Sequence, residues 1–209
     1  MDKSTLRLKK PVLVGLTGGP EVGKSEVSTI LAKKGAKIIS ADAIGHMLLR
    51  NNKSIKKKLI NLFGKEVLTN NGDFDRKKIG AVVFNDPEIM ASYNEIIHPP
   101  LIKHLKRELT QLSQNRRYRI VVVDAALIFE WGIADWFDFI LVVTAKRDLR
   151  LSRLCRMGLS RNQAEKRLAS QLPQRLKVDL ADYVIGNNSS RLHLAKKVDR
   201  FVEAVKNLL

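Results

Sequence analysis

The chain has 209 residues, 44% of them hydrophobic, and a formal net charge of +17 at pH 7. That length supports one hydrophobic core with an inserted lobe, and no apolar run approaches the ~20 residues of a membrane span. The single cysteine, Cys155, excludes an internal disulfide, and no apolar signal-peptide region stands near the start. We therefore expect a cytoplasmic globular protein without a membrane partner. We also expect a monomer or a weak oligomer.

The basic residues are spread along the chain, and aromatic residues make up only 6% of it. A protein that binds single-stranded nucleic acid needs aromatic side chains on which bases stack, so this distribution argues against one. The charge favours a solvated surface that attracts anions and steers small polyanionic substrates. We expect no specific nucleic-acid partner.

Short apolar runs in chain order predict buried parallel strands, and helical patterns separate most of them. The predicted strands are Val12–Thr17, Lys37–Ser40, Ile120–Asp124, Phe139–Thr144 and the shorter Tyr183–Ile185. The intervening helices are Lys24–Lys34, Leu149–Arg156, Arg161–Gln171 and Leu192–Leu208, and Gly35 is a plausible end for the first of them. Strand–helix alternation predicts a parallel sheet with right-handed crossovers.

The first predicted strand runs into a phosphate-binding loop. The stretch Gly18-Gly19-Pro20-Glu21-Val22-Gly23-Lys24-Ser25 reads G-x-x-x-x-G-K-S, the P-loop pattern. Backbone amides of such a loop attract phosphate oxygens, its lysine reaches the outer phosphates and its serine can hold Mg²⁺. An ordinary glycine turn before a helix is the alternative, which the combination of strand, loop, Lys24 and Ser25 disfavours. Glu21 places a negative charge near the expected phosphates.

Asp42 follows the second predicted strand, at the same edge of the sheet as the P-loop. Phosphoryl transfer to a hydroxyl needs a group that orients the nucleophile and takes its proton, and Asp42 could be that group. Asp42 could equally cap the helix that follows, since Asp is a good N-cap. Spacing alone does not choose between the two roles.

The interval between the second and third strands contains no strand pattern and predicts an inserted helical lobe that walls a substrate site. Asn70-Asn71-Gly72 predicts a turn within it, and His98-Pro99-Pro100 should kink or split its last helix. A zinc site at His98 is disfavoured because no other ligand stands at metal spacing. The predicted helices are Ile44–Leu49, Ile55–Phe63, Arg76–Phe84 and Pro87–Leu112.

Asp124 ends the third strand and could support Mg²⁺, directly or through water, or could merely terminate strand pairing. The P-loop favours the metal role. Glu130, six residues on, could serve the active site or form a salt bridge, and Trp131 and Trp136 are expected to pack in the core.

Arginines are concentrated in one helical stretch after the fourth strand. Arg150, Arg153 and Arg156 recur every three residues and therefore share a helix face. Guanidinium groups match phosphate oxygens, so a mobile arginine-bearing hairpin could close over ATP and exclude water. A solvated basic face is the alternative, and the P-loop favours the lid interpretation for part of the set.

Taken together in order and spacing, these residues resemble the dephospho-CoA kinase family over about residues 12–188. The matching pieces beyond the P-loop are Ser40-Ala41-Asp42, Arg76…Gly80…Val83-Phe84, His98-Pro99, Asp124…Leu127-Ile128-Phe129-Glu130, Arg156…Gly158-Leu159-Ser160…Arg167…Gln171, and Ala181-Asp182…Val184-Ile185…Asn187.

The resemblance implies an α/β, three-layer P-loop NTPase fold with a parallel sheet, an inserted helical substrate lobe and a helical lid. Its domains would be a nucleotide-binding core of residues 1–42 and 118–209, with a lid at about 147–175, and a CoA-substrate lobe of residues 43–117. The implied reaction is ATP-dependent phosphorylation of the ribose 3′-hydroxyl of dephospho-CoA, the last step of coenzyme A synthesis.

The resemblance also implies roles for individual residues. Asp42, Lys24 and Arg156 would be catalytic, with Asp42 as the general base. Asp42, His98, Leu127 and Glu130 would bind the acceptor, and Ser25, with Asp124 through water, would hold Mg²⁺. ATP would be bound by Gly18, Gly19, Pro20, Glu21, Val22, Gly23, Lys24, Ser25, Glu26, Arg156 and Asn187.

The chain departs from the family pattern at several positions, none of which removes Lys24, Ser25 or Asp42. Glu21 replaces a loop glycine, and Glu26 replaces a small hydroxyl residue. The other departures are Ser40, Ala126, Leu149, Ser152 and Gly186, with Arg150 or Arg153 able to compensate in the lid. We therefore expect an active enzyme with altered phosphate contacts.

Two rival functions are compatible with parts of the sequence. A nucleoside monophosphate kinase shares the P-loop, core and lid, but the Asp42 element and His98-Pro99 argue against it. The charge suggests a nucleotide-gated nucleic-acid binder, but no recognised nucleic-acid motif is present.

Overall fold

A five-stranded parallel sheet lies at the centre of the computed structural model, which describes residues 10–206. The strand order is β2-β3-β1-β4-β5, and every neighbouring pair is parallel. The predicted strands are confirmed, and only the last differs, by one added residue. The strands are β1 (Val12–Thr17), β2 (Lys37–Ser40), β3 (Ile120–Asp124), β4 (Phe139–Thr144) and β5 (Tyr183–Gly186).

Helices connect these strands. They are α1 (Lys24–Lys33), α2 (Ala41–Asn51), α3 (Lys53–Phe63), α4 (Arg76–Val83), α5 (Pro87–Ser113), α6 (Arg147–Arg156), α7 (Arg161–Ala169), α8 (Gln174–Asp179) and α9 (Arg191–Lys206). Lys34 is the C-cap of α1, and Gly35 follows it with φ of 88°. The helix thus ends at the glycine, as predicted. The described residues do not include residues 1–9, which belong to the predicted core. They also do not include residues 207–209, where the last helix was predicted to end at Leu208.

The sheet is covered by helices on both faces, which explains why its strands are apolar throughout rather than alternating. On one face Val14, Leu16 and Val122 pack with buried residues of α1 and α9. On the other face Val121 and Val123 pack with α2, α3 and α5. The result is the three-layer α/β arrangement expected from the sequence.

The strand register brings chemically useful residues to one edge of the sheet. Asp124 at the end of β3 lies opposite Leu16 of β1 on one side and Ser40 of β2 on the other. The loop after β1 and the first turn of α2 therefore leave the sheet next to Asp124. In parallel sheets this carboxyl edge is where ligands bind.

Helix α5 is continuous from Pro87 to Ser113, so of the two predicted effects of His98-Pro99-Pro100, a kink or a split, the split does not occur. Pro99 and Pro100 each remove one backbone donor from the helix interior. Burial of Ile97 and of Leu101, Leu105 and Leu109 along one face holds both halves in the same core. Tertiary packing here outweighs the local cost of the two prolines.

Helix α4 forms a small core of its own with the turn before it. Val67, Ile79 and Val83 are buried together. The predicted turn at Asn70-Asn71-Gly72 is confirmed, since Gly72 has φ of 77° and the Thr69 amide donates to the Asp73 carbonyl at 2.8 Å. The helices α2–α5, which we call the helical insertion, thus pack partly on the sheet and partly on themselves.

Helices α6 and α7 form a hairpin that packs on itself through Leu151, Leu154 and Ala164. Ser160 begins α7 with a capping box that pairs it reciprocally with Gln163. Helix α7 ends at Ala169, two residues before the predicted Gln171, and the short α8 was not predicted. Among residues 10–206, no helix combines the length and the apolar character that a membrane crossing needs.

Candidate functional site

The loop between β1 and α1 has the backbone of an anion cradle. Gly23 precedes α1 with φ of 93°, and no side chain caps the first turn of that helix. A side chain at Gly23 would collide with the amide of Asn187, so both conformation and space require glycine. Glu21 also has a positive φ, 56°, an uncommon conformation for a residue with a side chain.

Three side chains hold three successive carbonyl groups of this loop. Arg150 Nε donates to the Pro20 carbonyl at 2.9 Å, and Arg153 Nη1 donates to the Glu21 carbonyl at 2.7 Å. Asn187 Nδ2 donates to the Val22 carbonyl at 2.9 Å. Pro20 has no backbone N–H, and the amides of Gly19, Glu21, Val22 and Gly23 donate no hydrogen bond to any other residue of the described range 10–206. The loop carbonyls are thus hydrogen-bonded to side chains, while the loop amides have no partner within that range. The amides are therefore available to phosphate oxygens.

The arginines of α6 therefore divide into two groups. Arg150, which is only 8% exposed, and Arg153 bind the loop through its carbonyls. Arg156, at the end of α6, is exposed and donates to the Ser152 carbonyl of its own helix at 3.4 Å. The structure thus brings Arg150 and Arg153 to the P-loop but not Arg156.

Asp124 lies in an electrostatic cluster behind the P-loop. The Ser28 hydroxyl donates to its carboxylate at 2.5 Å. Burial raises the pKa of Asp124, the Ser28 hydrogen bond and the charge of Lys24 lower it, and the charge of Asp42 raises it. Lys24 and Asp42, which the sequence placed on two other elements, are therefore each close enough to Asp124 for their charges to act on it.

Asp42 lies in the first turn of α2 and is exposed. The N-cap of this helix is Ser40, whose side chain accepts from the Ala43 amide at 3.2 Å. Capping, the alternative role for Asp42, therefore belongs to Ser40. The Asp42 carboxylate remains accessible at the carboxyl edge of the sheet.

Glu130 forms an ion pair with a lysine that the sequence analysis did not single out. Its carboxylate lies 2.8 Å from the ammonium group of Lys177, whose side chain is fully buried. The same carboxylate accepts from the Leu172 amide at 3.0 Å. The burial of Lys177 could not be predicted, because helix α8 is too short to show an apolar periodicity and was itself not predicted.

His98 contacts the segment that contains Leu127 and Glu130. Its ring meets Trp131 edge-on, with centroids 5.3 Å apart, and burial lowers the pKa of His98. Among the described residues, Trp131 Nε1 and Gln171 Oε1 are buried without a hydrogen-bond partner. Since such atoms are costly to leave unpaired, these two are candidates for ligand contacts.

Two cavities border the α6–α7 hairpin and the P-loop, respectively. One of about 660 Å³ lies between the helical insertion and the α6–α7 hairpin, and is lined by Lys77, Phe84, Tyr93, Leu159 and Arg167, among others. Arg167 lies over the Phe84 ring at 4.6 Å, and Lys166 donates to Asn85 at 2.8 Å, so the hairpin contacts the insertion directly.

The second cavity, about 330 Å³, lies beside the P-loop. Its lining includes Glu21, Glu26, Arg153, Asn187 and Arg191. Arg191 Nε lies 2.5 Å from the Glu26 carboxylate, which neutralises one of the two acidic groups. Glu21, Glu26 and Asn187, all predicted to contact a nucleotide, thus line one space.

The oxygen ligands at this edge suit Mg²⁺. The described residues contain no group of three His, Cys, Asp or Glu side chains that could hold a metal ion. Magnesium is usually bound through one or two carboxylates plus substrate phosphates and water rather than by an all-protein cage. Ser25, exposed in the first turn of α1, and Asp124 fit that type of site.

A parallel sheet that presents this loop and these acids at one edge defines a P-loop nucleotide-binding protein. The family model for dephospho-CoA kinase matches residues 12–193. The chain therefore belongs to the dephospho-CoA kinase family and is a kinase.

Individual relatives agree with this assignment. The dephospho-CoA kinase of Fusobacterium nucleatum is 39% identical over 195 residues, which cover 93% of this chain and 98% of the relative. The crystal structure of a Thermus thermophilus protein is 30% identical, with a TM-score of 0.74 over 94% of this chain and 98% of its own. A dephospho-CoA kinase structure from Campylobacter jejuni is 27% identical, with a TM-score of 0.68 and the same coverage.

Proposed function

We propose that the protein uses ATP to phosphorylate the ribose 3′-hydroxyl of dephospho-CoA, giving CoA and ADP in the cytoplasm. A bond forms between the 3′-oxygen and the γ-phosphorus, and the bond from that phosphorus to the β–γ bridging oxygen breaks. The proton of the hydroxyl passes to a base and then to solvent. The observation that carries this proposal is the arrangement at the carboxyl edge of the sheet, where the P-loop after β1, Asp124 at the end of β3 and Asp42 after β2 come together.

The donor nucleotide is bound by the P-loop. The free amides of Gly19, Glu21, Val22 and Gly23 and those of the first turn of α1 donate to the phosphate oxygens, and Lys24 neutralises charge on the outer phosphates. The nucleoside lies in the cavity beside the loop, next to Asn187. Arg150 and Arg153 hold the loop in shape by donating to its carbonyls.

Asp42 is the general base in this mechanism. It is exposed, it follows the strand next to β3, and its charge acts on Asp124. A carboxylate in that position can accept a hydrogen bond from the acceptor hydroxyl and orient it towards the γ-phosphate. Mg²⁺ supplies charge neutralisation to the phosphates when bound, held by the Ser25 hydroxyl and, through water, by Asp124.

The acceptor lies between the helical insertion and the α6–α7 hairpin, which acts as the lid. We assign residues 43–117 to the substrate lobe and about 147–175 to the lid, with the rest as the nucleotide-binding core. His98, Leu127 and Glu130 lie along the acceptor side, where the unpaired atoms of Trp131 and Gln171 would gain partners. Lid closure then carries Arg156 towards the transferring phosphate.

An ADP-release assay across a panel of acceptors tests this function. We expect turnover of dephospho-CoA, with mass spectrometry of the product showing one added phosphate on the ribose. Nucleoside monophosphates should give rates close to the background without acceptor. Good turnover of nucleoside monophosphates with none of dephospho-CoA would contradict the proposal.

Glu21→Gly should both stabilise the protein and tighten ATP binding. A residue with a side chain in the left-handed region costs about 1–2 kcal/mol of folding free energy, and glycine removes this cost. Glycine also loses more conformational entropy on folding, which takes back about 0.5–1 kcal/mol of the gain. We therefore expect a thermal midpoint a few degrees higher. Removing a negative charge from the donor cavity should also lower the ATP KM by up to about fivefold, since unit charges a few ångströms apart in water interact by about 1 kcal/mol.

Glu21→Gln is the matched control for this change, because it removes the charge and keeps the backbone conformation. It should reproduce the lower KM without the higher thermal midpoint. Equal midpoints for the glycine and glutamine variants would show that the positive φ of Glu21 carries no strain.

Ser28→Ala should move the acidic limb of the pH–rate profile to higher pH. The Ser28 hydroxyl stabilises the charged form of Asp124, so its removal raises further a pKa that burial already raises. If the carboxylate supports Mg²⁺, activity falls as Asp124 is protonated, and the limb should move to higher pH. The measurement is kcat/KM against pH for both proteins at fixed Mg²⁺. An unmoved limb would mean that Asp124 is not the group that titrates.

A further inference from the structure

Lys177 is the one charged side chain with no exposed surface among the buried residues of the described range. Lysine is almost never fully buried unless it is paired, because its charge loses the hydration it has in water. Burial lowers the pKa of Lys177, whereas the hydrogen bond and the charge of Glu130 raise it. The kinase mechanism described above does not use this group.

The bonds of Lys177 form a compact network. Its ammonium group donates to the Ala126 carbonyl at 2.6 Å and lies 2.8 Å from the Glu130 carboxylate. The Ala126 carbonyl also accepts from the Thr17 hydroxyl at 3.0 Å. The Glu130 carboxylate also accepts from the Leu172 amide at 3.0 Å.

This network joins three segments that meet at the active site. Thr17 is the last residue of β1, immediately before the P-loop. Ala126 lies between Asp124 and Leu127, and Leu172 lies where the chain leaves the α6–α7 hairpin. The charges of Lys24 and Arg150 lower the pKa of Lys177, so the buried cation lies near the cations of the donor site.

Stability alone is a weak reason for a charge in this position. A buried ion pair that is replaced by apolar residues of similar volume often leaves stability unchanged or improves it. A methionine would fill the same space, but it could not bind the Ala126 carbonyl. The feature that an apolar residue cannot reproduce is therefore the fixed position of the segment that follows Asp124.

We propose that Lys177 is a positioning residue for phosphoryl transfer. Its ammonium group fixes residues 124–130 against the end of β1 and against the exit of the hairpin, and this holds Asp124 and Leu127 in the geometry that the reaction requires. The group acts through Ala126 and Glu130 and does not touch the substrates. This inference rests on the proposed function for its kinetic consequence but not for its structural one.

The test compares Lys177→Met and Glu130→Gln with the double variant Glu130→Gln/Lys177→Met. The dephospho-CoA KM of Glu130→Gln measures any direct contribution of that carboxylate to acceptor binding. Glutamine keeps an acceptor for the Leu172 amide, so the double variant leaves no buried charge unpaired and should melt close to the wild type even if the single variant folds poorly. With dephospho-CoA we expect kcat to fall by about 10²-fold in the double variant, the effect of a displaced reacting group, with the ATP KM within about twofold of wild type.

Hydrogen exchange provides a readout that needs no substrate. The amides of residues 131–133 bond back to carbonyls of residues 127–129 at 2.8–3.1 Å, so they report on the order of this segment. They should exchange faster in the double variant than in the wild type, while the amides of α1 stay unchanged. Arg175→Met, an exposed change on the same helix α8, is the control and should alter neither kcat nor exchange.

Wild-type kcat in the double variant would overturn the proposal. Lys177 would then only neutralise the charge of Glu130. Unchanged exchange at residues 131–133 would also overturn it. If wild type and Arg175→Met both fail to phosphorylate dephospho-CoA, the proposed function fails instead, and the exchange measurement still decides the role of Lys177.

Discussion

Lys24→Ala should abolish phosphoryl transfer, with kcat/KM reduced by about 10³-fold or more, the scale of a lost charge-stabilising group in an active site. Lys24 is the cation of the P-loop, and its charge lowers the pKa of Asp124. Its removal leaves the outer phosphates without that charge as negative charge develops on the leaving ADP. The measurement is steady-state ADP release with saturating dephospho-CoA.

The control for Lys24 is Lys33→Ala, an exposed lysine in the last turn of the same helix. It changes the net charge equally but lies at the opposite end of α1 from the P-loop. Its activity should stay within about twofold of wild type, because long-range surface charge is largely screened at physiological salt. If Lys24→Ala keeps most of the activity, the P-loop does not bind the donor as proposed.

Asp42→Asn should slow chemistry by about 10²–10⁴-fold while leaving ATP binding intact, as expected for a lost general base. Asparagine has nearly the same shape, so the acceptor can still bind, but it cannot take the proton of the hydroxyl. Single-turnover measurements isolate this step from substrate binding and product release. ATP affinity measured separately should be unchanged, because Asp42 lies outside the P-loop.

Ser40→Ala separates the capping of α2 from the chemistry of Asp42. It removes the side chain that accepts from the Ala43 amide, at a cost in folding stability of about 1 kcal/mol. Its kcat should remain close to wild type while its thermal midpoint falls.

Wild-type single-turnover rates in Asp42→Asn would contradict the role of general base. Asp42 would then contribute only a favourable negative charge at the N-terminus of α2.

The parts of the fold and site that the sequence predicts are those with local signals. The strands are continuous apolar runs because helices cover both faces of the sheet. The P-loop is recognisable because Gly23 needs both its positive φ and the absence of a side chain. Asp42 and Asp124 could be assigned to one edge because parallel strands end together there.

The features that the sequence does not predict depend on contacts between distant segments. The periodicity of Arg150 and Arg153 predicts a shared helix face, but not that this face binds the carbonyls of Pro20 and Glu21, some 130 residues away. The burial of Lys177 has no local pattern at all. Two prolines within α5 argue locally for a break, and only the packing of both halves in one core keeps the helix continuous.

The departures at Glu21 and Glu26 have different consequences in the structure. Glu26 is paired with Arg191, so its charge is neutralised beside the donor cavity. Glu21 forms no ion pair within residues 10–206, and its main chain rather than its carboxylate is held, by Arg153. The effect of the acidic residues on donor binding should therefore come mainly from Glu21.

A crystal structure with dephospho-CoA and a non-hydrolysable ATP analogue tests the central claim most directly. We predict that the analogue's phosphates lie against the amides of residues 21–25, and that the acceptor 3′-hydroxyl lies within about 2.6–3.2 Å of an Asp42 carboxylate oxygen. An empty P-loop, or an Asp42 side chain turned away from a 3′-hydroxyl that another group contacts, would contradict the account.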